Sequence, residues 1–328
     1  MRARRQSRVS VPGTDLTAQA NSGYAEEFPS SAEEFAVRCP PSMGHCAVWP
    51  DSLGLGGRTG GRTLALALCE GAPMLPREHG VYGQLVFPLA TALTIAHAGS
   101  SSVLTATAAI ALFLAHEPLV VLLGHRGRRE QMRHAGRAWW MLMGVLVVAT
   151  ASGLLAFDGV APGLRWTFLA PVLPGMAVVA AIIRGRERTM LAEAGVAVSC
   201  AAVALPVCAG AGNAAAGAVI AAAFALLFVL GTLAVRVIVL RIRGGGDQGA
   251  SGRTRALTFG LATLGALVAI AAAGDGAVAW ATVGAMLPGV VFTSGLAAFP
   301  PHAARLKRVG WSLVAVSAVT ALLLVAVV

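Results

Sequence analysis

The stretch AAGAVIAAAFALLFVLGTLAVRVIVL, residues 215–240, decides the kind of fold that this chain can adopt. It is apolar almost throughout and contains one charged residue, Arg236. About 20 apolar residues are enough to cross the hydrocarbon core of a bilayer as a helix. A backbone surrounded by lipid must satisfy its hydrogen bonds within the segment, which a helix does. We therefore predict a membrane-spanning helix at this position.

The composition extends this prediction to most of the chain. Of the 328 residues, 56% are hydrophobic and 12% are charged, whereas an average soluble domain carries about 25% charged residues. Stretches long enough to span a bilayer lie at residues 81–98, 101–123, 138–157, 166–183, 192–211, 215–240, 256–273, 277–298 and 309–328. The sequence thus predicts an all-α, polytopic transmembrane helical bundle of about nine spans.

The basic residues orient these spans. They concentrate in four connecting segments, at 125–137, 184–188, 241–255 and 301–308, while the intervening loops are nearly neutral. Basic loops mark the cytoplasmic side of a membrane protein. We therefore predict a multi-pass membrane protein with a cytoplasmic N-terminus and an outside C-terminus.

Residues 1–73 do not share this pattern. They contain seven basic and seven acidic residues with scattered Pro, Gly and Ser, and such a segment cannot bury enough apolar surface to offset the entropy of ordering it. We expect either a disordered leader or a mis-assigned start, with Met74 as the true first residue. The transmembrane domain is predicted to occupy residues 74–328.

Charged side chains lie at the membrane edges of the first two predicted spans. PREHG (76–80) comes directly before the first span, and AHEP (115–118) lies about two turns before the basic segment that follows the second. Charged groups at such depth are costly unless they are paired or face water. Because a short loop joins these spans, they should run antiparallel with these ends on the same side. The following candidates are expected to face one another: Arg77, Glu78, His79, His116 and Glu117.

Arginines from two other segments are expected to complete a mixed-charge cluster. Arg236 lies inside the membrane edge of the sixth span, and Arg126 or Arg128 lies in the first basic segment. Arginines bind phosphate well, and the acids of the cluster could hold a metal ion or accept a proton. Two simpler interpretations stay open, namely interfacial anchoring and a Glu117–Arg236 ion pair that joins two helices. Weaker candidates are Gln84, His97 and Glu193.

The PREHG motif before an apolar run, with HEPL and a basic loop closing the second span, resembles the YwiC-like family of bacterial membrane proteins. The resemblance covers most of residues 74–328 and is strongest over 76–130. It implies a multi-spanning protein of the bacterial inner membrane and implies no particular reaction.

A more distant similarity is to the UbiA superfamily of membrane prenyltransferases. That similarity implies nine helices, a cavity open to the cytoplasm, and two Asp-rich motifs that hold magnesium and a prenyl diphosphate. The matching places here read AHEPLVVLLGHRGRR and RVIVLRIRGGGDQG, which offer only Glu117 and Asp247. Magnesium bound to diphosphate requires several carboxylates, so this departure argues against ordinary prenyl transfer and leaves the cofactors and any catalysis open.

Two functions follow from these observations. The first is a helical bundle whose partners are the bilayer and an anionic, lipid-linked or phosphate-bearing ligand. The second is a small-solute transporter. An LPG tripeptide recurs at 173–175 and 287–289, and broken helices at matching positions can mark a transporter site, but two tripeptides of common membrane residues more often match by coincidence. The polar groups cluster at one end of the spans, which favours the first function. The basic segments contain almost no aromatic residues and do not indicate binding of nucleic acid.

The predicted orientation can be tested by cysteine labelling in intact cells. Cysteines that replace Ser101 and Asp275 should react with a membrane-impermeant thiol reagent, because the neutral loops are predicted to lie outside. Cysteines that replace Arg128 and Gly245 should not react until the cells are opened. Labelling of this second pair in intact cells would reverse the orientation.

Overall fold

The structure, a computed structural model, describes residues 79–97, 99–186, 189–243, 248–302 and 305–328. The predicted leader, Arg77 and Glu78 therefore lie outside the described residues, and so does the side chain of His79. The described residues all belong to one compact unit, Glu70–Val328.

The described part of the chain is all-helical and contains no strand, which confirms the predicted fold class. Ten α-helices and one 3₁₀ helix follow one another along it. They are α1 (His79–Ile95), α2 (Ser100–Leu122), α3 (Arg128–Gly159), the 3₁₀ helix (Pro162–Phe168), α4 (Leu169–Ile183), α5 (Met190–Ala202), α6 (Ala204–Ala209), α7 (Ala214–Arg243), α8 (Gln248–Gly274), α9 (Trp280–Ala298) and α10 (Leu306–Val327).

The predicted spans agree with these elements to within a few residues at most boundaries. Eight helical segments are long and apolar enough to cross a membrane, and a shorter apolar helix covers Tyr82–Ile95. Two spans begin earlier than predicted, α3 at Arg128 and α8 at Gln248. Hydropathy detects only the part of a helix that is apolar, and arginine favours helix strongly enough to extend it outward.

The fifth predicted span is interrupted rather than continuous. It consists of α5 and α6, which are separated at Val203. Pro206 lies in α6 and has no N–H to donate to the preceding turn. Every residue of α6 is buried, and irregular backbone at membrane depth is tolerated where protein surrounds it.

Helix α7 is the centre of the bundle. It contacts α1, α5, α6, α8, α9 and α10. Its side chains Ile220, Phe224 and Leu230 are fully buried, and the first two belong to a hydrophobic core shared with α1, α5, α6, α9 and α10. The segment that decided the fold in the sequence is therefore also the one around which the other helices pack.

The outer surface of the bundle suits a lipid environment. Large apolar side chains such as Leu154, Met176 and Leu322 are more than half exposed, and soluble monomers rarely expose large apolar patches. Tryptophans mark both ends of the bundle, as is usual at membrane interfaces. The exposed ones are Trp139, Trp140 and Trp311 near the basic segments and Trp166 and Trp280 at the opposite end.

The two LPG segments lie within continuous helices. Pro174 is inside α4 and Pro288 is inside α9. Gly289 allows close packing, because a Cβ atom at this position would lie 2.6 Å from Cδ1 of Leu227 in α7. Close packing of α9 against α7 explains this glycine, so a break in the helix is not needed to account for it.

Gly217 in α7 provides a test of the central packing. A Cβ atom built there would lie 2.9 Å from the carbonyl oxygen of Ala204 and 2.9 Å from Cα of Leu205, and backbone atoms cannot move aside as a side chain can. We expect Gly217→Ala to destabilise the protein by about 1–3 kcal/mol, the usual cost of overpacking. Thermal unfolding of the purified protein in detergent measures this effect.

Gly284 in α9 supplies the matched control, since a Cβ atom there would meet nothing within 4 Å. Gly284→Ala should leave stability unchanged or raise it slightly, because alanine favours helix more than glycine does. Equal stability of the two variants would show that α6 and α7 do not pack this closely.

Candidate functional site

Glu117 and Arg126 form an ion pair at the turn between α2 and α3. Nη2 of Arg126 lies 2.9 Å from each carboxylate oxygen of Glu117. The Glu117 side chain is 9% exposed and that of Arg126 is 36% exposed. A carboxylate at this depth requires such a partner, because an unpaired buried charge is strongly destabilising.

The turn that returns Arg126 to Glu117 is fixed by its own hydrogen bonds. Gly124, with φ of 75°, adopts a left-handed conformation that suits glycine at the end of a helix. The N–H groups of Gly124 and His125 donate to the carbonyls of Val121 and Val120. Nε2 of Gln131 donates to the Leu122 carbonyl at 2.6 Å. The pair Glu117–Arg126 is therefore part of an α2–α3 hairpin whose turn is held by hydrogen bonds.

Arg236 has a different partner from the one the sequence suggested. Its Nη1 lies 3.4 Å from Oε2 of Glu193 in α5, so the pair joins α7 to α5. This distance exceeds the 2.7–2.9 Å of a strong charge-assisted hydrogen bond. The side chains are 31% and 42% exposed, which makes the interaction weaker than that of Glu117 with Arg126.

Glu193 is well placed to carry a negative charge. It lies in the first turn of α5, whose N-cap Thr189 accepts a hydrogen bond from the Ala192 N–H. The N-terminus of a helix carries partial positive charge that favours an acid there. Glu193, a weaker candidate in the sequence, is thus the acid that contacts the intramembrane arginine.

A cavity of about 590 Å³ lies beside this second ion pair. Four helices form its wall, namely α1, α5, α7 and α10. Glu193 and Arg236 supply its charged part, and Gln84, Thr232 and Ser317 add neutral polar groups. The rest is apolar and includes Phe87, Leu227, Phe228 and Leu313. A volume of this size and a mostly apolar wall with few polar groups are typical of sites for small molecules.

Three helices contribute a glycine to the wall of the cavity. Gly83, Gly231 and Gly310 come from α1, α7 and α10. A Cβ atom at Gly310 would meet nothing within 4 Å, so that position faces free space. The sequence interpretation missed these glycines, since a glycine within an apolar span gives no sign of what it faces.

The other predicted site residues fall in several places. Rings of Tyr82 and Phe113 lie 5.5 Å apart edge to face, so α1 and α2 contact one another near their polar ends. His116 is half-buried and Arg128 is exposed at the start of α3. His97 is at the opposite end of α1, with φ of 49°. Within the described ranges, no three His, Cys, Asp or Glu side chains form a group that could hold a metal ion.

Long apolar helices, a lipid-facing surface and a cavity between four spans define a multi-pass helical membrane protein. Residues 75–209 match the family model described as YwiC-like protein. This match confirms the resemblance over α1 to α6, a narrower range than the sequence interpretation gave it. No curated protein and no solved structure matches the chain. The family match includes Glu193 but ends before Arg236, so the cavity is only partly within it.

The Glu117–Arg126 pair predicts an unequal mutational response. Arg126→Gln should destabilise the protein by about 1–3 kcal/mol, because it leaves the Glu117 carboxylate buried without a counter-charge. Glu117→Gln should cost less, since Arg126 is exposed enough to reach water. Thermal unfolding of the single variants and the double variant measures the coupling.

The double variant should lose less stability than the sum of the losses of the two single variants, which is the signature of a direct interaction. Additive effects would show that these side chains do not interact in the membrane.

Proposed function

We propose that this protein binds an amphiphile with a phosphate-bearing headgroup in the cavity between α1, α5, α7 and α10. The observation that carries the proposal is the combination of an apolar wall with one arginine, Arg236, at its charged part. Apolar chains of a ligand would lie against Phe87 and Leu227, and a phosphate would accept hydrogen bonds from the guanidinium of Arg236.

The proposal also places the charged part of the cavity on the cytoplasmic side of the bacterial inner membrane. Glu193 is near the start of α5, Gly310 is near the start of α10, and Arg236 is about two turns before the end of α7. These helix ends lead into the basic segments 184–188, 301–308 and 241–255, which the distribution of basic residues assigns to the cytoplasm.

The arginines of the bundle differ in how readily they would accept a ligand. Arg126 is held by two contacts of 2.9 Å to a buried acid, whereas Arg236 has a single contact of 3.4 Å to a half-buried one. A phosphate that replaced Glu193 as the partner of Arg236 would therefore displace the weaker of the two pairs. This comparison favours Arg236 over Arg126 as the ligand-binding arginine.

A small-solute transporter remains the second candidate, and the interrupted fifth span favours it. Discontinuous helices often form transporter sites near the middle of the membrane. Here, however, the break at Val203 is filled by protein, since α6 is buried in full, and the cavity wall includes Glu193 of α5 but no residue of α6. A carrier would have to open this region to water, so the binding proposal requires less rearrangement.

Filling the cavity tests the binding proposal directly. Gly310→Leu should occupy free space next to the cavity and lower the amount of co-purifying lipid or lipid-linked phosphate several-fold. Native mass spectrometry of the protein after purification in mild detergent measures that amount. Arg236→Gln should have a similar effect, because it removes the positive charge.

Gly284→Leu is the matched control, since it also replaces a glycine that faces open space within a span but is not part of the cavity wall. It should retain bound amphiphile at the level of the unmodified protein. Equal retention by Gly310→Leu and Gly284→Leu would contradict binding at this cavity.

A further inference from the structure

The charges of the cavity wall restrict which headgroup can bind. Among the described residues that form the wall, one side chain is basic, Arg236, and one is acidic, Glu193. The two are 3.4 Å apart. A ligand that contacts Arg236 must therefore also lie close to a carboxylate.

A purely anionic headgroup suits this arrangement poorly. Its phosphate would replace Glu193 as the partner of Arg236 and would leave two negative groups side by side. Both side chains are more than half buried, where the screening by water is weaker than in bulk solution. The gain at Arg236 would be offset by repulsion at Glu193.

A headgroup with charges of both signs avoids this conflict. Its phosphate would accept hydrogen bonds from Arg236, and its ammonium group would donate hydrogen bonds to Glu193. One long ion pair would thereby be exchanged for two new ones. The amide of Gln84 and the hydroxyl of Thr232 are also in the wall and can donate to the remaining phosphate oxygens.

We infer that the ligand of this cavity is an aminophospholipid, a phosphodiester amphiphile with a primary ammonium group that is bound by Glu193 while its phosphate is bound by Arg236. This inference rests on the proposed function and narrows its class of ligand. The apolar part of the cavity accepts acyl chains, since Phe87, Leu227 and Leu313 lie there.

Two probes that differ only in the headgroup test the inference. The full chain, purified in a neutral detergent, is titrated with dioctanoyl phosphatidylethanolamine and with dioctanoyl phosphatidylglycerol, and native mass spectrometry gives each apparent Kd. The ethanolamine lipid should bind about fivefold more tightly, which is the effect of one partly exposed ion pair. Equal binding, or tighter binding of the glycerol lipid, would overturn the inference.

Single variants test whether Glu193 causes the preference for the ethanolamine lipid. Glu193→Gln should remove the preference for the ethanolamine lipid and leave binding of the glycerol lipid equal or tighter. Glu117→Gln, which alters an acid outside the cavity wall, should retain the preference. A preference that persists in Glu193→Gln would overturn the role of this acid. The comparison of the two lipids on the unmodified chain needs no variant to fold.

Failure of the proposed function would look different from failure of the inference. If neither lipid binds the unmodified chain, or if Gly310→Leu binds both lipids as tightly as the unmodified chain does, the cavity is not the binding site. If both lipids bind at the cavity without preference, only the inference about the ammonium group is lost.

Discussion

The bundle depends on the burial of one helix that carries a charge. Helix α7 packs against six neighbouring helices, and Leu233, Val237 and Ile238 are each 1% exposed. Arg236 lies among these residues and carries a positively charged guanidinium. A guanidinium at this position needs an acid or an open space beside it, and the structure has both. Glu193 supplies the counter-charge and the cavity supplies the space.

The two ion pairs of the bundle differ in role because their partners are separated by different lengths of chain. Glu117 and Arg126 are joined by a single turn and fix a hairpin between consecutive spans. Arg236 and Glu193 come from α7 and α5, with α6 between them in the chain. This second pair forms only after the bundle assembles, and it is the longer and more exposed of the two. The short-range pair thus stabilises the α2–α3 hairpin. The long-range pair lies in the wall of the cavity, where a ligand could bind.

Much of this arrangement follows from the sequence, and the rest depends on packing that the sequence does not specify. Apolar length predicts most span boundaries within a few residues, since a bilayer sets the length of a helix, but it misses the polar first turns of α3 and α8. The interruption at Val203 has no such signal, because Pro206 stands among small apolar residues that would equally suit a continuous helix. Pro118 and Pro288, by contrast, lie inside helices that continue through them.

The candidate site, like the fold, could be predicted from the sequence only in part. Depth within a span identified Arg236 and Glu117 as costly charges, and both are paired. The sequence could not assign the partners, because a partner depends on how each helix is rotated about its axis. Gln84 and Glu193 were weaker candidates in the sequence, and both lie in the cavity wall. Gly310 gave no signal at all, although it marks free space.

The central claim is that α7 turns one face toward an open cavity while its other faces are buried, and reactivity of cysteines along α7 tests it most directly. In a chain whose leader cysteines are replaced by alanine, single cysteines at Thr232, Val235 and Val239, which are in the cavity wall, are treated with a small water-soluble thiol reagent. Single cysteines at Leu233, Ala234 and Val237, which are at most 1% exposed, are treated in the same way. Reaction that is fast in the first set and slow in the second, with helical periodicity, is the predicted result. Equal reaction along both sets, or protection of Thr232 together with Ala234, would contradict the account.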